Sequence, residues 1–162
     1  VTHGSQPEFT VMEIFADLGE QLGLFLDRAH ADAVVLRQAK ELLELSAPIL
    51  RVAPDALLLP IIGTLDARRA IHVTERLLAK VVEHGAHVVV LDLTSAGSID
   101  TFMAQRILDA VAAVHLLGAD AILTGVRPDA AKTLALLGID FSRLRVCATL
   151  ADGLAKLRER AD

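Results

Sequence analysis

The residues able to do chemistry in this chain are few and lie far apart. Its six histidines occur singly, and none shares with another the i,i+4 spacing around a glutamate that zinc hydrolases use. Both common glycine-rich nucleotide loops are missing from the sequence. The single cysteine, Cys147, lies in an apolar run, which indicates a buried structural thiol. These patterns predict no metal site, no cofactor and no catalytic residue.

Two acidic positions near the middle of the chain mark the best candidate site. Asp92 follows the apolar run 88–91, and α/β proteins place their ligands at the carboxyl ends of such strands. Asp100 opens a predicted helix whose first residue is Thr101. A phosphate on Thr101 would face the free N–H groups of the helix and change what this surface can bind. The residues alone leave a simpler alternative, in which Asp100 only caps the helix and Thr101 has no role.

The composition limits the classes of partner. The chain has 162 residues, of which 53% are apolar and 23% charged, as in a compact domain with or without an appendage. Its net charge of -5 and the lack of a basic run argue against nucleic acid. A lone cysteine is typical of a reducing compartment, and every apolar run is far shorter than the roughly 20 residues that cross a bilayer. We expect a cytoplasmic protein that binds neither nucleic acid nor membrane.

The first third of the chain is predicted to form one long helix. Residues 1–11 have the character of a disordered or remnant segment, and residues 12–46 read as a helix that Pro48 ends. Apolar and small side chains in this helix recur alternately three and four residues apart, which predicts a coiled-coil seam and a dimer. The alternative is an ordinary amphipathic helix packed on its own domain. The seam consists of Phe15, Leu18, Leu22, Phe25, Ala29, Asp32, Leu36, Ala39, Leu43 and Ser46.

From residue 47 onward, strands alternate with helices. The apolar runs 49–53 and 56–62 flank a turn-forming Pro54-Asp55 pair and predict a hairpin, in which Pro60 implies an edge position or a bulge. Further strands are predicted over 87–93, 121–124 and 144–147, and helices over 66–84, 100–117, 128–138 and 150–160. This order requires an α/β fold with a mostly parallel sheet covered by helices.

Residues 47–160 resemble the STAS domain of stressosome R-type proteins, the co-antagonists that regulate the bacterial general stress sigma factor. The resemblance rests on five segments that occur in the same order. They are LSAPI at 45–49, PIIGTLD at 60–66, VLDLT at 90–94, IDT at 99–101, and GVRP at 125–128 followed by LGID at 137–140. Residues 11–28 also resemble the closing helix of a GAF-type sensor. By this likeness, the chain is the C-terminal part of a longer receptor, with a sensor-linker helix over 12–46 and a STAS domain over 47–162.

The resemblance implies a signalling scaffold that is not an enzyme. Proteins of this kind assemble with a smaller single-STAS partner into a large shell that holds a serine/threonine switch kinase. On stress the kinase phosphorylates the STAS domains and leaves, and a separate phosphatase resets the scaffold. The expected partners are therefore the kinase, the small STAS protein, the phosphatase and further copies of the chain itself.

The same resemblance assigns the site residues. Thr101 matches the phosphoacceptor that follows the Asp at the start of the second STAS helix. The family's other acceptor position is held here by Ala67, which has no hydroxyl group, so control by two sites is in doubt. The predicted docking surface around Thr101 consists of Gly63, Thr64, Asp66, Ser98, Ile99 and Asp100.

Two other functions remain open from the sequence. One is a free-standing anti-sigma factor antagonist, which has the same fold but binds a single anti-sigma kinase and needs no dimerising helix. The other is a small α/β enzyme or nucleotide-binding protein that acts through Asp92 and Asp100.

Overall fold

The computed structural model describes residues 47–138 and 141–161, together with positions 19–20, 23–24, 27, 30–31, 33–35 and 37–38. Two compact units can be distinguished, Val1–Leu42 and Leu43–Asp162. All described positions of the first unit are helical, and nearly all are exposed. The predicted coiled-coil seam and residues 1–11 lie outside the described residues, so the dimer and the first segment stay predictions.

The second unit contains a five-stranded sheet in the order β1-β2-β3-β4-β5. The first pair of strands is an antiparallel hairpin, and every later neighbour is parallel. The strands are β1 (Leu50–Ala53), β2 (Ala56–Pro60), β3 (Val88–Asp92), β4 (Asp120–Thr124) and β5 (Arg145–Cys147). The helices are α1 (Ala67–His84), α2 (Thr101–Leu116), α3 (Pro128–Leu136) and α4 (Leu150–Ala161), with a short 3-10 turn at Phe141–Arg143. The predicted mostly parallel α/β fold is confirmed.

The central strand β3 shows why the sheet needs helices on both faces. All of its residues are buried, because side chains of a strand alternate between the two faces and both faces are covered. Val89 and Leu91 join the larger core, which α1, α2 and α3 cover, while Val88 and Val90 join a smaller core under α4. Cys147 is a free, buried thiol in the smaller core, as its apolar surroundings predicted.

Pro60 has a local edge position, one of the two arrangements that the sequence predicted. β2 lies inside the sheet between β1 and β3, and Pro60 pairs with Asp92 of β3 in a regular register. A proline is tolerated there because pairing with β1 reaches only to Leu58, so the Pro60 nitrogen needs no acceptor on that side. The next N–H group, that of Ile61, donates to the carbonyl of Asp92 at 2.9 Å.

Helix α1 ends where the sequence predicted. Gly85 adopts the left-handed conformation, with φ of 59°, and the N–H of Ala86 donates to the carbonyl of Val81 at 3.0 Å. This closes the last turn of the helix and directs the chain into β3. None of the helices among the described residues is long and apolar enough to cross a membrane.

Candidate functional site

The candidate site lies where the parallel strands end. Three loops leave the carboxyl ends of β2, β3 and β4, and each leads into the next helix. They cover residues 61–66, 93–100 and 125–127, and we call the surface that they form the carboxyl edge. Because carboxyl ends of parallel strands lie on one side of a sheet, the topology brings these sequence-distant loops together.

The first two loops are joined through their backbones. The N–H of Gly63 donates to the carbonyl of Ser95 at 2.9 Å, and the N–H of Gly97 donates to the carbonyl of Gly63 at 2.7 Å. Gly63 has φ of 67°, a conformation that glycine adopts without strain. At Gly97, an added Cβ would lie 2.7 Å from the Thr64 methyl group, so the Thr64 side chain would have to move. The two loops therefore form one continuous surface.

The third loop reaches the second through a side chain. Arg127 places its Nη2 atom 2.9 Å from the carbonyl oxygen of Ala96 and 2.6 Å from that of Gly97, and it donates to both. The sequence did not indicate Arg127 as a site residue, although Arg127 lies in the GVRP segment at 125–128. The sequence signal for Arg127 is its position directly before the proline that starts a helix. The loop that the arginine contacts could not be predicted from the sequence.

Asp92 lies beneath this surface. Only 6% of the residue is exposed, and its Oδ1 atom accepts hydrogen bonds from the hydroxyl groups of Thr94 and Thr124, both at 2.7 Å. The carboxylate thus ties the end of β3 to the end of β4. In addition, the N–H of Leu93 donates to the carbonyl of Thr124 at 2.8 Å. These contacts give the candidate enzymatic residue a structural role in holding the loops.

Gly125 lies against the same cluster. Its φ is 68°, and a Cβ at this position would overlap the hydroxyl oxygen of Thr94 and lie 2.7 Å from the Thr94 backbone nitrogen. Only glycine fits, because both the backbone conformation and the space exclude a side chain. The third loop can therefore pass directly over the second.

Thr101 is exposed and is the first residue of α2. It directly follows Asp100, whose carboxylate accepts a hydrogen bond from the N–H of Met103 at 2.8 Å and caps the helix. The start of α1 has the same geometry, since the Asp66 carboxylate accepts from the N–H of Arg69 at 2.9 Å. Ala67 thus holds in α1 the position that Thr101 holds in α2. Both aspartates cap their helices, which for Asp100 is the role that the sequence indicated.

The predicted docking residues do not all lie at the surface. Gly63, Thr64, Asp66, Ser98 and Asp100 are exposed on the carboxyl edge. The side chain of Ile99 is the exception, because it is 5% exposed and packs in the larger core. Its placement on the docking surface was wrong: an apolar residue between exposed Ser98 and Asp100 anchors the loop from below.

Side chains that could bind a metal ion lie apart from one another among the described residues. Over the part of the chain that the structure describes, histidine, cysteine, aspartate and glutamate side chains form no group of three or more that could hold a metal ion. What the carboxyl edge offers instead is a fixed set of backbone groups, hydroxyl groups and capped helix ends.

Comparison with known proteins supports this view of the fold. A family model described as the STAS domain matches residues 47–153. The RsbT co-antagonist protein RsbRA of Bacillus subtilis (strain 168) is 39% identical over 131 residues, which cover 81% of this chain and 48% of RsbRA. The chain therefore spans about half the length of the curated relatives it matches.

Solved structures show the same fold. The RsbS protein of Moorella thermoacetica, in a serine-to-glutamate variant, aligns with a TM-score of 0.63 and 30% identity, covering 71% of this chain and 97% of that one. A chain from a structure of the stressosome aligns with a TM-score of 0.59 and 26% identity. The stressosome is described there as a signal integration and transduction hub. That alignment covers 70% of this chain and 98% of the stressosome chain. With a family match over more than half its length, the chain belongs to the STAS domain family.

Proposed function

We propose that this chain is a scaffold subunit of a stressosome-type assembly, which binds a serine/threonine switch kinase at the carboxyl edge and releases it when Thr101 is phosphorylated. Two similarities support the proposal. RsbRA is named a co-antagonist of RsbT, and the stressosome chain is named part of a signalling hub. The kinase in our proposal takes the place that RsbT has for RsbRA.

The observation that carries the proposal is the position of Thr101. It is an exposed first-turn residue beside two hydrogen-bonded loops, so a kinase can reach its hydroxyl group without unfolding the domain. A phosphate there would lie near free N–H groups and the positive end of the α2 dipole. The phosphate would also add negative charge next to Asp100, so the surface would no longer match the kinase face that binds the unmodified domain. Release of the kinase follows from that mismatch.

The proposed partners follow from the same reading. They are the kinase, a smaller single-STAS scaffold protein, a phosphatase that resets Thr101, and further copies of this chain joined through the helix over 12–46. We propose that the protein works in the cytoplasm, without nucleic acid or membrane as a partner. The negative net charge of -5 supports the first exclusion.

We propose further that the chain is not an enzyme. Asp92 is buried and its Oδ1 already accepts two hydroxyl hydrogen bonds, while Asp100 caps α2. The two carboxylates that an enzymatic function would use are thus engaged in holding the fold. Nucleotide affinity of the purified protein that is lost in Asp92→Ala would contradict this part of the proposal.

A free-standing antagonist is the second candidate function. It shares the fold but binds one kinase at a time, whereas the seam predicted over residues 15–46 favours an oligomeric receptor. The mass of the complex with the kinase and the small STAS protein separates the two. A large multi-subunit particle supports the scaffold, and a one-to-one complex supports the antagonist.

The direct test is peptide mass spectrometry after the protein is incubated with ATP, the switch kinase of its host and the small STAS partner. Wild type should carry phosphate on Thr101, and Thr101→Ala should carry none. Thr133→Ala is the matched control, since Thr133 lies on α3 and donates to the Asp129 carbonyl within its own helix. It should be phosphorylated like wild type. Phosphate only at other residues would overturn the assignment.

A further inference from the structure

Arg127 is an unusual residue for the start of a helix. Helices α1 and α2 begin with aspartates whose carboxylates accept backbone hydrogen bonds. The residue at the start of α3 is Arg127, and its side chain makes no hydrogen bond that caps this helix. A cation at a helix N-terminus faces the positive end of the helix dipole, so this choice does not serve the stability of α3.

The side chain of Arg127 serves the second loop instead. Its Nη2 atom donates to the carbonyl oxygens of Ala96 and Gly97, at 2.9 and 2.6 Å. Its contact with Asp129 is longer, with Nε 3.8 Å from the carboxylate oxygen, so the carbonyl oxygens are its nearer partners. Hydrogen bonds from a charged donor are stronger than those between neutral groups. Arg127 therefore holds two successive carbonyls in one orientation.

The base of this side chain is rigid. Arg127 precedes Pro128, which restricts it to the extended conformation observed, with φ of -80° and ψ of 160°. Its own carbonyl accepts the N–H of Ala131 at 2.8 Å. The guanidinium group thus acts from a fixed point on the third loop.

The carbonyls it holds belong to the junction between the first two loops. Gly97 donates its N–H to Gly63, and Ala96 donates its N–H to Leu93 at 3.1 Å. Ala96 and Gly63 also form an isolated parallel bridge. Ala96 and Gly97 are thus fixed through their N–H groups by backbone bonds and through their carbonyl groups by Arg127. Loss of the guanidinium would free the carbonyls directly, and the backbone bonds of the Gly63 and Gly97 N–H groups would then open more easily because the loop has lost this support.

We propose that Arg127 is a positioning residue for kinase docking, which holds the second loop in the shape that presents Thr101. This inference rests on the proposed function and deepens it by assigning the element that keeps the docking surface in place. Arg127 acts through the loop and transfers no group itself.

The test compares Arg127→Ala and Arg127→Lys with wild type by two measurements. The first is amide hydrogen exchange at Gly63 and Gly97, which needs no kinase. Arg127→Ala should speed exchange at these amides by about tenfold, because charged hydrogen bonds that hold the loop are lost. Arg127→Lys, whose ammonium group still donates, should restore most of the protection. The amide of Leu123 in β4 should be unchanged and shows that the fold is intact.

The second measurement is the kinetics of Thr101 phosphorylation. Arg127→Ala should raise the KM of the kinase for this protein about three- to tenfold with little change in kcat, since the loss is in docking. Arg51→Ala is the matched control, because Arg51 also donates to a backbone carbonyl, that of Pro54 at 2.9 Å, but it lies on β1 and its acceptor lies in the hairpin turn. It should leave KM unchanged.

The outcomes separate the two proposals. Unchanged exchange at Gly63 and Gly97 in Arg127→Ala overturns the positioning role. Faster exchange with an unchanged KM also overturns it, since the loop would then not serve docking. If wild type takes no phosphate at all, the proposed function fails. The affinity of the unmodified protein for the kinase is then measured in place of KM. An equal affinity of Arg127→Ala and wild type then overturns the positioning role.

Discussion

The N–H group of Gly97 donates to the carbonyl oxygen of Gly63 at 2.7 Å, across two loops that belong to different strand-helix units. In the other direction, the N–H group of Gly63 donates to the carbonyl oxygen of Ser95 at 2.9 Å. A displacement of the loop before α2 must therefore move the loop before α1 or break these bonds. The proposed docking surface around Thr101 therefore includes loops from two strand-helix units.

Substitution of Gly125 is expected to destabilise the domain strongly. Gly125→Ala adds the strain of a positive φ, about 1–2 kcal/mol for a residue with a side chain, and it also forces a Cβ into Thr94. Gly118→Ala is the control, because Gly118 has φ of 81° but open space where its Cβ would lie. Urea denaturation should show a clearly larger loss for Gly125→Ala. Equal losses would mean that the loop can shift away from the new side chain.

Removal of the Asp92 carboxylate should leave two hydroxyl groups without their acceptor. Because Thr124 is fully buried, we expect Asp92→Ala to lower the free energy of unfolding by about 2–4 kcal/mol. Asp120→Ala removes a carboxylate from the other end of β4, where it forms an exposed ion pair with Arg160, and should cost less than about 1 kcal/mol. Chemical denaturation of both variants measures the difference. Similar values would show that the Asp92 cluster contributes little.

The two aspartate caps should behave alike in stability and differently in function. Asp66→Ala and Asp100→Ala each remove one cap bond, so each should cost about 1 kcal/mol of unfolding free energy. Asp100→Asn should recover most of the stability, since asparagine also caps helices. Only Asp100→Ala should slow phosphorylation of Thr101, which mass spectrometry measures over time. An equal slowing by Asp66→Ala would place the kinase contact on both helices.

A threonine at position 67 should become a second phosphorylation site. Ala67 is exposed and holds the first position of α1 behind a capping aspartate, as Thr101 does in α2. We expect Ala67→Thr to acquire phosphate at residue 67 in the presence of kinase and ATP. Ala67→Ser offers a hydroxyl group of smaller size as a comparison. If both variants are modified at Thr101 alone, the kinase recognises more than the start of a helix.

Glu83 should titrate below its ordinary range. Its hydrogen bond with Lys80, with Nζ 2.9 Å from Oε2, lowers the pKa of the carboxyl group, and the charge of Lys80 adds to this effect. A lowered pKa in the folded state means that the contact stabilises the fold above the unfolded pKa and is lost as the pH falls through the folded pKa. Lys80→Met should raise the pKa of Glu83, as NMR titration of its side chain would show. No change would mean that the ion pair is not formed in solution.

Much of the fold could be predicted from local sequence signals. Pro54 and Asp55 mark the hairpin turn, Asp66 and Asp100 mark helix starts, and Gly85 marks a helix end, as the structure confirms. These signals work because turns and caps depend on a few neighbouring residues and on backbone conformations that particular residue types favour.

The features that the sequence predicted wrongly or left open depend on residues that are distant in the chain. Pro60 has a local edge position because β1 is too short to pair with it, and the sequence could not choose between this edge position and a bulge. Ile99 is drawn into the core although both of its neighbours are exposed. Pairing length and core packing are set by elements that local patterns do not describe.

The sequence by itself determined the order of strands and helices, the capped starts of α1 and α2, and Thr101 as the hydroxyl residue at the start of α2. Only the tertiary structure decided that Arg127 contacts the 96–97 peptide and that Asp92 joins two threonines. The physical reason is that helix starts depend on adjacent residues, whereas these contacts exist only once parallel strands place their carboxyl ends side by side.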